Sequence, residues 1–300
     1  SGFGANLTLV NLEDISYPGR VHNVIPIEDL STNDIVNSTP GSSVVVTPDT
    51  ARGVSFRGAL IYLNDLEGKI TKFNLTNMSN DGKGNAIALY DNTTLFTAGS
   101  TSTNGRYMYH SMDATIGQTT NTLWLFAGTG DYERIADSQA GNDNLLLGIA
   151  DPDYPFYRNV NTPTRAYDLS KCKNTTNDSS GASCPQLTGD KGWYIQLKNS
   201  AKVTAEPTVS SGLVYFPIYK PSSSVNKCSL GDAFICAVDD ECGTNISSKL
   251  GANTGATKNE KCKYVGQGVL SRIVTFAGKI FANIAGQSNQ AKKDLVTLDG

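Results

Sequence analysis

The sequence predicts an all-β chain, and within that class a β-propeller with about four four-stranded blades. These blades form a fragment of a larger, modified propeller that carries long disulfide-stapled loop insertions. Three observations carry this reading. The first is a strand–turn–strand unit in residues 59–76, ALIYLNDLEGKITKFNLT. An apolar run, the turn Asn64-Asp65-Leu66-Glu67-Gly68 and a second β-rich run read there as a hairpin. The second is recurrence: LVYFPIY from Leu213 with AFICAVD from Ala233, KIFANIAG from Lys279 with DLVTLDG from Asp294, and more loosely TLWLFAG from Thr122 with NLLLGIAD from Asn144. The third is that no apolar i, i+3, i+4, i+7 stripe is sustained anywhere, which leaves no helix of useful length.

From the N-terminus, residues 6–13, NLTLVNLE, look like the last strand of a blade. Four units then follow in meander order. The first takes strands at 21–27, 43–47, 59–63 and 69–75, and the second at 86–90, 106–110, 123–126 and 144–149. The third takes 193–197, 203–209, 213–219 and 233–238, and the fourth 264–265, 269–276, 279–284 and 294–298. TAEPTVSSGLVYF from Thr204 lies over LSRIVTFAGKIFA from Leu270, so that Gly212 meets Gly278 at a tight turn. Glycine suits such a turn because positive φ brings it no Cβ clash. The blades span about 15–76, 77–150, 190–240 and 262–300, with insertions at 151–192 and 242–263. The alternative architecture is a β-sandwich with decorated loops. Because both ends look like last strands, further blades and an N-terminal domain are expected upstream.

Composition removes several function classes. Charged residues make up 18% and the formal net charge is −3, without the basic stripe that a nucleic-acid partner requires. No apolar run approaches the ~20 residues that span a bilayer, so no transmembrane segment is expected. No signal-peptide pattern follows Ser1, so any targeting segment lies outside the sequence. Insertions at 131–144, 151–192, 221–231 and 242–263 are rich in Gly, Ser, Asn, Asp and Cys. Such loops are expected on one rim of the scaffold, as binding elements.

The six cysteines, Cys172, Cys184, Cys228, Cys236, Cys242 and Cys262, fall in or beside these insertions. No C-x-x-C occurs, and with only two histidines a zinc or thioredoxin-like reading is poor. An even number in loop-rich sequence points to disulfides in an oxidising compartment, against free buried thiols in a cytosolic protein. Cys172–Cys184 is the closest isolated pair, and Cys228–Cys236 with Cys242–Cys262 completes one of 15 pairings.

No catalytic residues are assigned. His22 and His110 are the only imidazoles, and His110 sits in a strand-like run, YMYH, where a hydrogen-bonded structural histidine is expected. No G-x-S-x-G, Walker A or G-x-G-x-x-G segment precedes a helix. Asp151 with Asp153, and Asp239-Asp240-Glu241, offer paired carboxylates but also read as acidic turn residues. Asn77 to Asp81-Gly82, with Asn85, approaches a calcium loop, yet its first ligand is neutral and no acid closes it. Sequons begin at Asn6, Asn37, Asn74, Asn77, Asn92, Asn174, Asn177 and Asn245, as in an exposed secreted protein, although an Asn/Thr-rich chain also makes them by chance.

Three segments in the right order resemble a known family. VVVTPD from Val44, followed by ALIYLNDLEGKITKFNL from Ala59, is similar to a "Y-x-G-D-L-x-G-N-L-W-K-F-D-L" segment. LFAGTGDYE from Leu125 resembles "F-G-T-G-K-Y", and GWYIQL from Gly192 with KVTAEPTV from Lys202 resembles "G-W-Y-L-D-L…E-R-V-x-x-x-P". These belong to the C-terminal β-propeller of the PilY/PilC group of type IV pilus tip-associated adhesins.

The resemblance implies a protein exported through the periplasm to the pilus tip or outer cell surface, where it promotes pilus assembly, opposes retraction and mediates attachment. Implied partners are minor pilins or other pilus components, the N-terminal region of the same protein, and a host-cell or surface ligand. Some members carry a calcium loop before the "Y-x-G-D-L" strand. The matching positions here are Asp49, Ala51, Gly53, Ser55 and Arg57, a degenerate set that keeps only the first carboxylate. A guanidinium at Arg57 is placed to stand in for the metal's charge, so the loop is expected to be calcium-independent. Two alternatives stay open. One is a quinone-dependent dehydrogenase propeller, which needs a tryptophan docking motif in each blade, whereas this chain has only Trp124 and Trp193. The other is a carbohydrate-binding propeller.

Overall fold

Continuous apolar runs along the central strands set the architecture, because successive side chains of a strand point to opposite faces and both faces must then be covered. The computed structural model describes residues 5–29, 35–47, 58–76, 88–135, 143–157, 167–178, 182–222, 230–244, 261–286 and the backbone of 295–299. Strands β1 (Asn6–Asn11) and β2 (Arg20–Pro26) pair as a two-stranded sheet. Sheet I follows in the order β3 (Val44–Val46), β4 (Gly58–Asn64), β5 (Lys69–Thr76) and β6 (Asn92–Thr97). Sheet II holds β7 (Asp113–Ile116), β8 (Leu123–Gly128), β9 (Asn144–Asp151) and β11 (Gly192–Leu197), edged by the short β10 (Lys173–Asn174).

Sheet III is built on β14 (Leu213–Lys220), β15 (Asp232–Asp239) and β16 (Cys262–Gln267), with a broken first strand, β12 (Lys202–Val203) and β13 (Thr208–Ser210). Sheet IV has an equally broken first strand, β17 (Val269–Leu270) and β18 (Val274–Phe276), then β19 (Lys279–Ala285) and β20 (Leu295–Asp299). A single 3-10 turn at Leu169–Lys171 is the only helical element among the described residues, and none of their helices is long and apolar enough to cross a membrane.

The four sheets are propeller blades stacked face to face. Leu123, Leu125 and Ala127 of β8 face sheet I, against Leu60, Tyr62 and Ile70. Their neighbours Trp124 and Phe126 face sheet III, against Val214, Phe216 and Val238. On β14, Leu213 and Tyr215 turn the other way, against Ile280 and Ala282 of sheet IV. The central strands of sheets I, II and III therefore bury both faces, while β19 of sheet IV buries one, and fully burying a Leu- or Phe-sized side chain contributes about 1.5–3 kcal/mol. Ile61, Leu63 and Phe73 meet Ile25 of β2 and Ile27 just beyond it, which closes the free face of sheet I.

The grouping of strands departs from the expected units by one place. Residues 193–197 were expected to open the third unit and 264–265 the fourth. Instead, β11 pairs with β9 as an outer strand of sheet II, and β16 pairs with β15 as the outer strand of sheet III. Residues 21–27 pair with β1, not with sheet I. The fourth strand of sheet I is β6, a segment left out of the expected units. In sheet II the first strand is β7, with residues 106–110 non-strand ahead of it. The physical reason is that a strand's own sequence carries its pleat and faces but not its partner.

The insertions do not share one rim. Strand ends that bracket 131–144 and 221–231 lie on the face where the first strands begin, and those that bracket 151–192 and 242–263 lie on the opposite face.

The cysteine pairing is likewise corrected. Cys184 bonds Cys242, and Cys236 bonds Cys262. Cys172 is a free thiol packed in the core between sheets I and II, and Cys228 lies outside the described residues. Cys236 and Cys262 sit opposite each other on paired strands. Cys184 meets Cys242 because the outer loop of sheet II lies over the β15–β16 turn of sheet III. Proximity in sequence favoured the pair with Cys172, but sheet stacking turns that sulfur inward.

Candidate functional site

Local sequence explains why one end of the blades is rigid. Asp65 accepts a hydrogen bond from the Lys69 backbone N–H at 2.9 Å, closing the β4–β5 turn, and its other oxygen holds the Lys69 ammonium at 3.1 Å. Glu67 holds the same ammonium, and all three side chains are buried. Burial pushes the Asp65 carboxyl up, opposed by Lys69. Asn64 donates from Nδ2 to the carbonyls of Met108 and His110, at 3.1 and 2.9 Å, tying the turn of sheet I to the segment that leads into β7.

First-strand segments of all four sheets come together near this end. Residues 40–42 lead into β3 and 109–111 into β7, while 205–206 lie in the break between β12 and β13 and Arg272 in the break between β17 and β18. They line one open cleft of about 270 Å³. Hydrogen bonds stitch neighbouring first strands around it. The Ser42 N–H donates to Ser111 Oγ at 2.7 Å, and the Val209 N–H to Asp113 Oδ2 at 2.8 Å. Thr208 Oγ1 donates to the Ile273 carbonyl at 2.6 Å, and Thr204 Oγ1 to that of Leu270 at 3.0 Å. β13 contacts both β7 and β18, and the Ser42–Ser111 bond joins the segments ahead of β3 and β7, so the first strands form the inner edges of the blades and the cleft between them is axial.

Tyr109 and His110 line it beside the charged Glu206 and Arg272. Behind them, Tyr107 meets Tyr109 edge-on with centroids 6.1 Å apart, Tyr109 meets Tyr132 in a tilted contact at 6.3 Å, and the His110 ring meets Tyr132 edge-on at 5.2 Å. Burial, reinforced by Asp131 and Glu133, pushes the Tyr109 phenol up to about 12. Burial pushes His110 down to about 4, so its imidazole is neutral at physiological pH. Its Nε2 is screened from solvent and has no hydrogen-bond partner. This corrects the expectation of a hydrogen-bonded strand histidine. Across the cleft, Arg272 pairs with Glu206, the guanidinium 57% exposed and the carboxylate 25%.

Other expected site residues are structural. His22 lies on the β1–β2 sheet, its Nε2 3.0 Å from the Tyr90 hydroxyl. Asp151 and Asp153 do not pair as carboxylates; Asp151 Oδ1 accepts the Asp153 N–H, and Oδ2 binds the Lys72 ammonium at 2.5 Å and the Tyr62 hydroxyl at 2.7 Å. Asp239 accepts the N–H groups of Glu241 and Cys242, an Asx turn. Glu241 accepts those of Thr119 and Thr120 at 2.7 and 2.8 Å, clamping sheet III to the β7–β8 turn of sheet II. The Asp240 carbonyl accepts the Trp193 indole N–H at 2.8 Å. That ring lies over Gly148, where a Cβ would come within 2.3 Å of it, so the glycine is a steric necessity.

The degenerate calcium-type loop at Asp49, Ala51, Gly53, Ser55 and Arg57, and the Asn77–Asn85 segment, lie outside the described residues. Among the described residues no three His, Cys, Asp or Glu side chains converge as metal ligands. The sequons split by burial: Asn37 and Asn74 are buried, while Asn6, Asn174 and Asn177 are exposed. In Asn6, Asn74 and Asn174 the side-chain oxygen accepts a hydrogen bond from the threonine hydroxyl two residues on, a local turn function for the same tripeptide.

Sequence reasoning missed Glu206, Arg272, Tyr109 and His110 as a site. One signal was present: the overlay of 204–216 on 270–282 puts Glu206 on Arg272, opposite charges at equivalent places in successive blades.

No protein-family model matches the sequence, and no curated protein matches it significantly. Among solved structures, the chain matches the crystal structure of the Pseudomonas aeruginosa PilY1 C-terminal domain with a TM-score of 0.61 at 15% identity. That match covers 98% of this chain and 66% of the PilY1 chain, so the chain spans just under two thirds of it. The two share a fold, as the motif resemblance implied. BamB from Moraxella catarrhalis covers 94% of the chain at 10% identity with a TM-score of 0.24, which carries no weight.

Proposed function

We propose that this chain is a non-enzymatic propeller module of a type IV pilus-associated protein that promotes pilus assembly and surface attachment. The observation that carries the reading is the shared fold with the PilY1 C-terminal domain over 98% of the chain. The ordered family-like motifs and a rigid scaffold whose axial cleft is lined by binding-type side chains support it. Two disulfides fit an oxidising compartment, extracellular or periplasmic, and the proposal places the protein at the pilus tip or outer surface. Its partners there are minor pilins or other pilus components, the N-terminal region of the same protein and a surface or host-cell ligand.

The test is deletion of the gene in its own bacterium with complementation, reading pilus number by electron microscopy and attachment to abiotic and cellular surfaces. Loss of either, restored by the gene, is the expected result. Unchanged piliation together with unchanged attachment refutes the proposal. A quinone-dependent dehydrogenase remains the competing class, and a quinone absorbance band in the purified protein would favour it. Both tryptophans already have structural work, since Trp124 donates to Thr120 Oγ1 at 2.9 Å and Trp193 to the Asp240 carbonyl.

A further inference from the structure

The axial cleft has a chemistry of its own. Its volume, about 270 Å³, sits near the lower end of small-molecule pockets and suits one or two sugar-sized rings. The Glu206–Arg272 pair leaves it without net charge, which disfavours a phosphate or nucleic-acid occupant. The pair still offers carboxylate acceptors beside guanidinium donors, the combination that vicinal hydroxyl groups satisfy, each hydroxyl being donor and acceptor at once. Tyr109 and the neutral His110 add apolar ring surface beside those polar groups. A pyranose has the same division, an apolar C–H face and a polar rim. A peptide docking by main-chain bonds meets fewer free partners, because Ser42 already donates its amide to Ser111.

We propose that the cleft between Tyr109 and the Glu206–Arg272 pair is a binding site for a neutral saccharide, a terminal unit of a glycan. The proposal rests on the attachment reading for its purpose and on the cleft for its chemistry. Because the first-strand segments are fixed by inter-blade hydrogen bonds, the site is preorganised and little ordering entropy is lost on binding.

The experiment is saturation-transfer NMR and calorimetry on the purified chain with methyl glycosides of glucose, galactose, mannose and N-acetylglucosamine, and with lactose. At least one is expected to bind, with an affinity that does not fall as salt is raised. Arg272→Ala and Tyr109→Ala are each expected to weaken binding by roughly tenfold or more. Phe276→Ser, at the far end of β18, leaves it unchanged. Should Tyr109→Ala fail to fold, the isosteric Glu206→Gln replaces it with the same expected loss. No binding by any glycoside, binding retained in the cleft variants, or binding that collapses with salt overturns the site. If glycosides bind but the gene is dispensable for piliation and attachment, the attachment reading fails and the site stands. If the gene is required and no glycoside binds, the reverse holds.

Discussion

Removing the ammonium of Lys72 tests how far a buried ion pair between sheets I and II holds the fold together. Lys72 and Asp151 are 1% and 0% exposed, joined at 2.5 Å, and Lys72 also donates to the Phe156 carbonyl at 2.7 Å. Asp151 accepts the Tyr62 hydroxyl, whose ionisation is pushed well above its ordinary range by burial and then by Asp151. In Lys72→Met the carboxylate keeps two hydrogen bonds but loses its counter-charge in the core, a change that costs about 3–5 kcal/mol. Unfolding entropy near 2.1 cal/mol/K per residue gives roughly 0.6 kcal/mol/K for 300 residues, so the melting temperature should fall by about 5–8 °C. The assay is differential scanning calorimetry of the wild type, Lys72→Met, Asp151→Asn and the double variant. The double variant, with no buried charge left over, should recover at least half of the single-variant loss. A Lys72→Met cost under ~1 kcal/mol, or a double variant as unstable as the two singles added, refutes the reasoning.

Three further outcomes follow from named groups. Burial, then Asp239 and Glu241, pushes Asp240 up to about 6 from 3.8, so the native state holds a proton that the unfolded chain has released. Stability from this group is therefore complete below about pH 4 and lost as pH rises through about 6, and Asp240→Asn should match the wild type at the acid end and gain on it above that window in thermal melts. Peptide mapping without reduction should find Cys184–Cys242 and Cys236–Cys262. Cys172, pushed up to about 12 by burial and then by Asp190 and Asp168, should resist alkylation in the native protein. A Cys172–Cys184 peptide would contradict this. Calcium titration by calorimetry should give no heat from the Asp49–Arg57 loop, and uptake abolished by Asp49→Ala would reverse that expectation.

The parts of the fold legible in advance were those written in local side-chain pattern. The strands at 59–63, 213–219 and 233–238 are short β-branched and aromatic apolar runs, and 69–75 interleaves apolar with polar residues, so all four were readable and lie inside β4, β14, β15 and β5. β6 (Asn92–Thr97) went unread because its TT-rich sequence resembles a loop, and pairing with β5 makes it a strand. The cleft was harder to read, since Ser42, Ser111, Glu206 and Arg272 are unremarkable residues separately. Only the overlay of the last two units hinted that two of them meet.

What the sequence determined alone was the class: all-β, built of repeated hairpins, with most cysteines in insertions and no helical stripe. Pleat and turn chemistry are local, each decided within a few residues of itself. Which strand closes which sheet, which sulfurs join, and which four loops surround the axis depend on residues tens to more than two hundred positions apart. Those choices follow from burying both faces of the central strands of sheets I to III at once, a condition that only the assembled stack of sheets can satisfy.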